Sequence, residues 1–337
     1  MKKNENFVYE APKDPLGYQN PLPSQRPTPD PCIRYNPLDG YYYGIHTGDK
    51  SLTLYRARRM GNVFKGEEAR VIYEANEKDG TYGLLWAPEL HFLDGCWYIY
   101  TSTREYEESL GRKHLICLKA RSQDLFDGFV LAAHILPELY AIDPTVYDDE
   151  KHGKRYLCAS IVIDNCQKLF IQELKGAFTP IGEYRIIAEP IYDWELVYPN
   201  DRANWAINEG AYFVEKNGRL FIVYSGNGCW MDDYVFGILE LTGDDPLAPD
   251  AWLKSDRPFM TKGNGCYGPG HATFFFSPDG KELFMCYHCL EKHNPKCTRM
   301  PRYCHVQRVL FDEEDFPHTG GMPLPLGVSY REPQKKA

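Results

Sequence analysis

Three carboxylates, Asp30, Asp143 and Glu209, fall at matching places in a loose repeat, with Trp86 and His271 at the two remaining places. Each stands nine or ten positions before a turn glycine that opens an aromatic-rich run. These runs begin Gly40-Tyr41-Tyr42-Tyr43, Gly95-Cys96-Trp97-Tyr98, Gly153-Lys154-Arg155-Tyr156, Gly218-Arg219-Leu220-Phe221 and Gly280-Lys281-Glu282-Leu283-Phe284. Two aspartates and a glutamate around one opening suit cleavage of a glycosidic bond. One carboxyl, protonated, gives its proton to the leaving oxygen, and a second, ionised, activates water or attacks. A third carboxylate nearby raises the acid's pKa by repulsion and keeps it protonated near neutrality. Trp86 offers a flat face to a sugar. His271 is placed to hydrogen-bond substrate or to hold a structural water or cation. Trp205 and Trp230, in loops beside these positions, are further candidates for substrate binding. A local reading competes for Asp30 and Asp143, since each precedes proline and Asp-Pro starts turns; the repeat is what favours chemistry.

The elements that must position these groups follow from the same spacing. The glycines lie 55, 58, 65 and 62 residues apart. A period of this length built of short strands is the signature of a β-propeller, and five units predict five blades. The first strand of each blade lines the central channel, so equivalent positions face one another around the axis. An irregular β-sandwich is the alternative, because it too spaces short strands with turn signals. The expected organisation is a proline-rich lead-in over residues 1–29 lying on the surface, a single five-bladed catalytic propeller over 30–318, and a fraying tail over 319–337. The long connection at residues 192–204, rich in aromatic, acidic and proline residues, reads as a functional loop.

Composition narrows the partners. The chain has 337 residues, 43% of them hydrophobic, and a net charge of −9, which argues against a nucleic-acid groove and an anionic membrane surface. A neutral oligosaccharide is compatible with it. Aromatic residues make up 14%, including 25 tyrosines, which suits stacked strands and flat binding faces. The 11 cysteines are odd in number and no apolar leader follows the first lysines, so the expectation is a reducing cytoplasm. Cys286-Tyr287-His288-Cys289, with His293, Cys297 and Cys304, looks like a metal cluster, but its spacing is poor for zinc and the residues read as ordinary thiols. Gly263-Asn264-Gly265 and Gly268-Pro269-Gly270 share only their glycine content with phosphate loops, since no helix follows. No cofactor is expected beyond a structural cation near His271. The sequence leaves the oligomeric state open.

Trp86-Ala87-Pro88-Glu89, Asp143-Pro144, Asn208-Glu209-Gly210 and Gly268-Pro269-Gly270-His271, in this order, resemble glycoside hydrolase family 43. Asn20-Pro21-Leu22-Pro23-Ser24-Gln25-Arg26 and Tyr192-Asp193-Trp194-Glu195 look like the branch of exo-acting α-L-arabinofuranosidases active on α-1,5-arabinan. The resemblance covers residues 20–317. It implies a five-bladed propeller and an inverting mechanism, with Asp30 as general base, Glu209 as general acid and Asp143 as the modulator that orients Glu209 and lifts its pKa. Inversion requires base and acid to stand about 6.5–9.5 Å apart. The chain departs from the family pattern at Thr28-Pro29 between Arg26 and Asp30, at Ala211 and Ala272, and at Leu290 and His305, where arginines are common. The implied activity is release of terminal α-L-arabinofuranosyl residues from arabino-oligosaccharides. A β-xylosidase, an arabinanase, a retaining invertase-like hydrolase or transferase, and a sugar-binding propeller without catalysis remain as alternatives.

Overall fold

Each of the five turn glycines closes a β-hairpin at a positive φ between 63° and 83°, a region glycine enters without steric cost. A computed structural model describes residues 13–106, 111–197 and 205–335. After β1 (Lys13–Gln19) the chain forms five consecutive antiparallel meanders. The first holds β2 (Cys32–Asn36), β3 (Tyr41–Ile45), β4 (Ser51–Ala57) and β5 (Glu68–Glu74). The second holds β6 (Trp86–Leu93), β7 (Cys96–Arg104), β8 (Lys113–Ala120) and β9 (Phe129–Ile135). The third holds β10 (Ala141–Asp149), β11 (Lys154–Ile163), β12 (Cys166–Lys175) and β13 (Thr179–Ala188). The fourth holds β14 (Ala206–Lys216), β15 (Arg219–Gly226), β16 (Val235–Leu241) and β17 (Trp252–Lys254). The fifth holds β18 (Tyr267–Phe276), β19 (Leu283–Leu290), β20 (Tyr303–Phe311) and β21 (Pro317–His318). The third and fourth join into one eight-stranded sheet where Cys166 and Gln167 pair in parallel with Ala206 and Ile207. The chain is all-β; helix among the described residues is confined to short 3-10 turns.

Apolar residues facing both sides of these sheets form cores between neighbours. Ile45 and Leu54 meet Leu90 and Ile99; Tyr100 and Leu115 meet Leu157 and Phe170; Ile171 meets Ile222; Val223 meets Phe274 and Met285. Ile33 and Tyr42 then meet Phe275 and Phe284, so the fifth meander packs on the first. The first strands follow the same circuit, β2 against β6, β6 against β10, β10 against β14, β14 against β18, and β18 against β2.

At each first strand the chain passes through a left-handed residue: Asp30 (φ 52°), Ala87 (49°), Asp143 (57°), Gly210 (56°) and His271 (53°), with a second in β18 at Gly268 (52°). Four of the first five lie at shifts in strand register. The count back from the turn glycines therefore lands on the kink itself at Asp30, Asp143 and His271, but one residue early at Trp86 and Glu209. A bulge adds one unpaired residue to a strand, and its place within the strand is not visible in a spacing.

The lead-in and the tail are corrections to the surface and fraying expectations. Leu22 and Tyr18 are buried, and residues 20–28 run along the edge of β20. Leu22 N donates to Cys304 O (2.8 Å), Thr28 N to Arg302 O (2.9 Å) and Cys304 N to Thr28 Oγ1 (2.7 Å). Asn20 mimics a peptide: its Oδ1 accepts from Val306 N (2.9 Å) and its Nδ2 donates to Val306 O (2.8 Å). From the tail, β22 (Ser329–Tyr330) pairs with β1, and Leu324 and Tyr330 are buried. Residues 1–12, 198–204 and 336–337, parts of the expected lead-in, functional loop and tail, lie outside the described residues.

The paired bonds from Asn20 make a test of this closure. Asn20→Ala leaves the buried N–H of Val306 without a partner, while Val306 O keeps only the Tyr18 hydroxyl (3.2 Å), so urea unfolding is expected to show a loss of about 1–3 kcal/mol. A loss within about 0.5 kcal/mol, as for an exposed surface substitution, would mean the segment adds nothing to closure.

Candidate active site

Asp30 sits where the lead-in turns into β2, and its side chain is the most heavily partnered of the three carboxylates. Its Oδ1 accepts from Arg302 Nη1 (3.0 Å) and its Oδ2 from Thr47 Oγ1 (2.5 Å). Its backbone N donates to His288 Nδ1 (3.1 Å). Burial pushes the Asp30 carboxyl upward, but the Arg302 guanidinium, with His271 and His288, holds it well below the usual carboxylate range. Asp30 is therefore ionised at neutral pH.

Asp143 lies on β10. Its Oδ2 accepts the backbone N–H of Gly210 (3.1 Å) and stands 3.8 Å from His271 Nδ1. The same Nδ1 is 3.7 Å from Asp30 Oδ1, so His271 lies between the two aspartates. Gly210 must be small here, because a Cβ at its left-handed φ would stand 2.9 Å from His271 Nδ1. Burial, then repulsion from Glu209 and Asp30, raises the Asp143 carboxyl well above its usual value.

Glu209 precedes that glycine on β14. Its Oε1 accepts from Tyr234 Oη (2.9 Å) and its Oε2 from Gln167 Nε2 (3.1 Å). Burial pushes its carboxyl up to about 7, against the pull of these two hydrogen bonds, and the charge of Asp30 pushes the same way as burial. Burial thus comes first in lifting Glu209, ahead of repulsion between carboxylates; the repulsion between Glu209 and Asp143 is mutual and resists a second charge on the pair. Tyr234 reaches Glu209 over Gly270, where a Cβ would stand 1.7 Å from the tyrosine ring.

A buried network sets the strand beneath Glu209. Asn208 Nδ2 donates to Glu195 Oε1 (2.7 Å), and its Oδ1 accepts from Lys254 Nζ (2.9 Å), which also pairs with Glu195. Tyr224 Oη donates to the same Oε1 (2.9 Å), and Oε2 accepts the backbone N–H groups of Ile191 (2.7 Å) and Tyr192 (2.9 Å). Ser160 Oγ donates to Asn208 O (2.8 Å). The Tyr192-Asp193-Trp194-Glu195 motif therefore contributes a fully buried carboxylate that anchors Asn208, the residue before Glu209.

Trp86 is half-buried, with Lys113 Nζ 3.8 Å from its ring centroid. Burial and the Arg299 charge lower the Lys113 ammonium to about 8, opposed by Asp143. An ammonium thus lies over one face of the Trp86 ring. Trp205 and Trp230 are half-buried in an apolar cluster with Val197, Ile207, Met231 and Cys297. They pack beside the strand that carries Glu209. The described side chains gather no cluster of three ligand atoms around His271, and the charge beside Asp30 is Arg302. Arg302, His288, Thr47, Gln167, Tyr234 and Lys113 are residues that spacing did not identify as part of the site; none stands in the glycine-counted frame. Arg26 is exposed, and the guanidinium against Asp30 is that of Arg302.

Removal of that guanidinium leaves a largely buried charge unpaired. Arg302→Leu is expected to destabilise the fold by about 3–5 kcal/mol at pH 7 in urea unfolding. Because pairing depresses the folded pKa of Asp30, its stabilisation is present above the unfolded value of about 4 and is lost as pH falls through the folded one. The deficit of the variant should therefore shrink on acidification. A deficit independent of pH would place the role of Arg302 in packing rather than in charge.

Comparison with known proteins accords with this geometry. The family model for glycosyl hydrolases family 43 matches residues 18–317. An extracellular exo-α-(1→5)-L-arabinofuranosidase of Streptomyces chartreusis is 32% identical, over 83% of this chain and 84% of its own length. A protein of the same name from Streptomyces avermitilis is 27% identical over 95% of this chain, which spans 66% of that relative. The crystal structure of an α-L-arabinofuranosidase from Lactobacillus brevis superimposes with a TM-score of 0.80 at 27% identity, covering 93% of this chain and 98% of that one. The names of the two Streptomyces relatives overturn the cytoplasmic expectation. Most of the thiols on which it leaned are buried within the cores, where they act as small apolar side chains and report little about compartment. The family-model match over residues 18–317, with the 32% identical relative, places the chain in glycosyl hydrolase family 43.

Proposed function

We propose that the chain is an inverting exo-glycosidase that releases terminal α-L-arabinofuranosyl residues from arabino-oligosaccharides, and that its five meanders are the blades of a propeller around the site. The observation that carries the mechanism is the divergence of two carboxyls: Arg302 holds Asp30 ionised, while burial keeps Glu209 near 7. Environments that push two carboxyls apart assign the base and the acid. Asp30 takes a proton from water as its oxygen bonds to the anomeric carbon. The glycosidic bond breaks on the opposite face, and Glu209 gives its proton to the departing oxygen. Asp143 holds the Gly210 N–H and so fixes the backbone next to the acid. The ring of first-strand contacts supports the propeller, and the arabinofuranosidases among the relatives support the sugar.

Paired substrates test both roles. Asp30→Ala is expected to lower turnover of an aryl α-L-arabinofuranoside and of a natural arabinobiose alike, by about 100- to 10,000-fold. Glu209→Ala should spare the aryl substrate far more than the disaccharide, because an activated leaving group needs little protonation. Equal losses in Glu209→Ala would remove it as the acid, and turnover of aryl β-D-xyloside alone would discard the arabinoside assignment.

The pH profile tests the electrostatics. The acid must be protonated, so kcat/KM should fall as pH rises through about 7. The Tyr234 hydrogen bond stabilises the carboxylate, so Tyr234→Phe should move that alkaline limb to higher pH. An unmoved or lowered limb would show that another group sets it.

A further inference from the structure

The fifth meander carries a second constellation of reactive side chains, apart from the carboxylates. Cys266 in the turn before β18, Cys289 on β19 and His305 on β20 bring two sulfurs and a ring nitrogen within 4.8 Å of one another. All three residues are buried, with Cys289 and His305 at 0% exposure. His305 has no hydrogen-bond partner for either ring nitrogen, which is costly for a fully buried imidazole. Its ring packs near Tyr287, at 5.7 Å between centroids, and no polar group supplied by the described residues satisfies it. An orphaned imidazole beside two thiols is the donor set of a thiophilic metal. The cysteine-rich run does not act as one cluster: Cys286 faces Cys304 at 3.5 Å between sulfurs, while Cys289 turns toward Cys266. The spacing 286–289 does not bring those two cysteines together: the neighbours of Cys289 come from a preceding turn and a following strand.

We infer that Cys266, Cys289 and His305 bind a thiophilic d10 metal ion, with zinc(II) as the ion whose charge fits. Two thiolates and a neutral imidazole around a divalent ion form a neutral unit, which a dry core tolerates far better than isolated charge. Binding replaces two S–H bonds by two metal–sulfur bonds and releases two protons to solvent, with no change of oxidation state. Zinc bonds sulfur at about 2.3 Å and nitrogen at about 2.0 Å in a tetrahedral site, so its donors stand roughly 3.5–3.8 Å apart. The donor atoms, all within 4.8 Å of one another, reach that spacing with at most about 1 Å of side-chain movement. A small ligand such as water completes the fourth position. The ion would tie the 263–266 turn to β19 and β20, the strand that carries His288 and the strand that follows Arg302, so its role is to brace the partners of Asp30.

The full chain, reduced and incubated with zinc(II) and then gel-filtered, is expected to retain about one zinc per chain. Zinc-edge X-ray absorption should show two sulfurs at about 2.3 Å. Chelation should lower the melting temperature, and Cys266→Ser should lower zinc retention at least about tenfold while abolishing the chelator effect. If Cys266→Ser fails to fold, absorption and chelator response of the unmodified chain decide. No retained zinc, a shell without sulfur, zinc retained undiminished in Cys266→Ser, or a Cys266–Cys289 disulfide in peptide mapping of the untreated chain would each overturn the inference.

Discussion

A left-handed kink at the head of each first strand is the constraint on which the site depends. Asp30, Ala87, Asp143, Gly210 and His271 all adopt it, and four of the five are not glycine. Such a residue costs about 1–3 kcal/mol and interrupts the strand ladder, so the freed N–H needs another acceptor. Side chains from neighbouring meanders provide it. Asp143 accepts from Gly210 (3.1 Å), His288 from Asp30 (3.1 Å), Thr47 from Ala87 (2.8 Å), and Ser225 from His271 (2.8 Å). Four of the kinks are thus bonded to a neighbouring meander, and the residues that satisfy them include those that touch the carboxylates. Thr47 does both, since its hydroxyl also reaches Asp30.

The kinks place the carboxylates, and their surroundings then give them opposite character. Asp30 is as buried as Glu209, yet it meets a guanidinium, while Glu209 meets only neutral donors. Burial alone would lift both; one partner decides the sign. Burial raises the Asp143 carboxyl, and the charges of the other two acids push the same way, against the pull of the Gly210 N–H. The Glu195–Lys254 pair shows a third arrangement, a fully buried carboxylate with donors on both oxygens, used to fix Asn208 rather than to react.

Closure links these interactions to both ends of the chain. Residues 20–28 bond to β20, and Arg302 stands at the entry to that strand with its carbonyl on Thr28 and its guanidinium on Asp30. The proline-rich segment thereby helps to position the charge that keeps Asp30 ionised. The fifth meander bears much of this load, because it supplies His271, His288 and Arg302.

The sequence by itself determined what is local. Turn glycines and alternating strands marked the all-β architecture and its five units, because a tight hairpin needs glycine at positive φ wherever it occurs. The same spacing found Asp30, Asp143 and His271, since the kinked residue holds a nearly constant distance from its hairpin. The same count reached Glu209, one residue before its kink, and family motifs suggested its role and the sugar. Tertiary structure decided the rest. Arg302 is 272 residues from Asp30, and Tyr234 reaches Glu209 only because Gly270, from the next meander, has no side chain. Trp86, chosen by count, lies one residue before its kink and carries Lys113 on its ring. Which buried acid keeps its proton depends on groups brought together from several meanders, and such an energy is set by distances in space that no interval along the chain encodes.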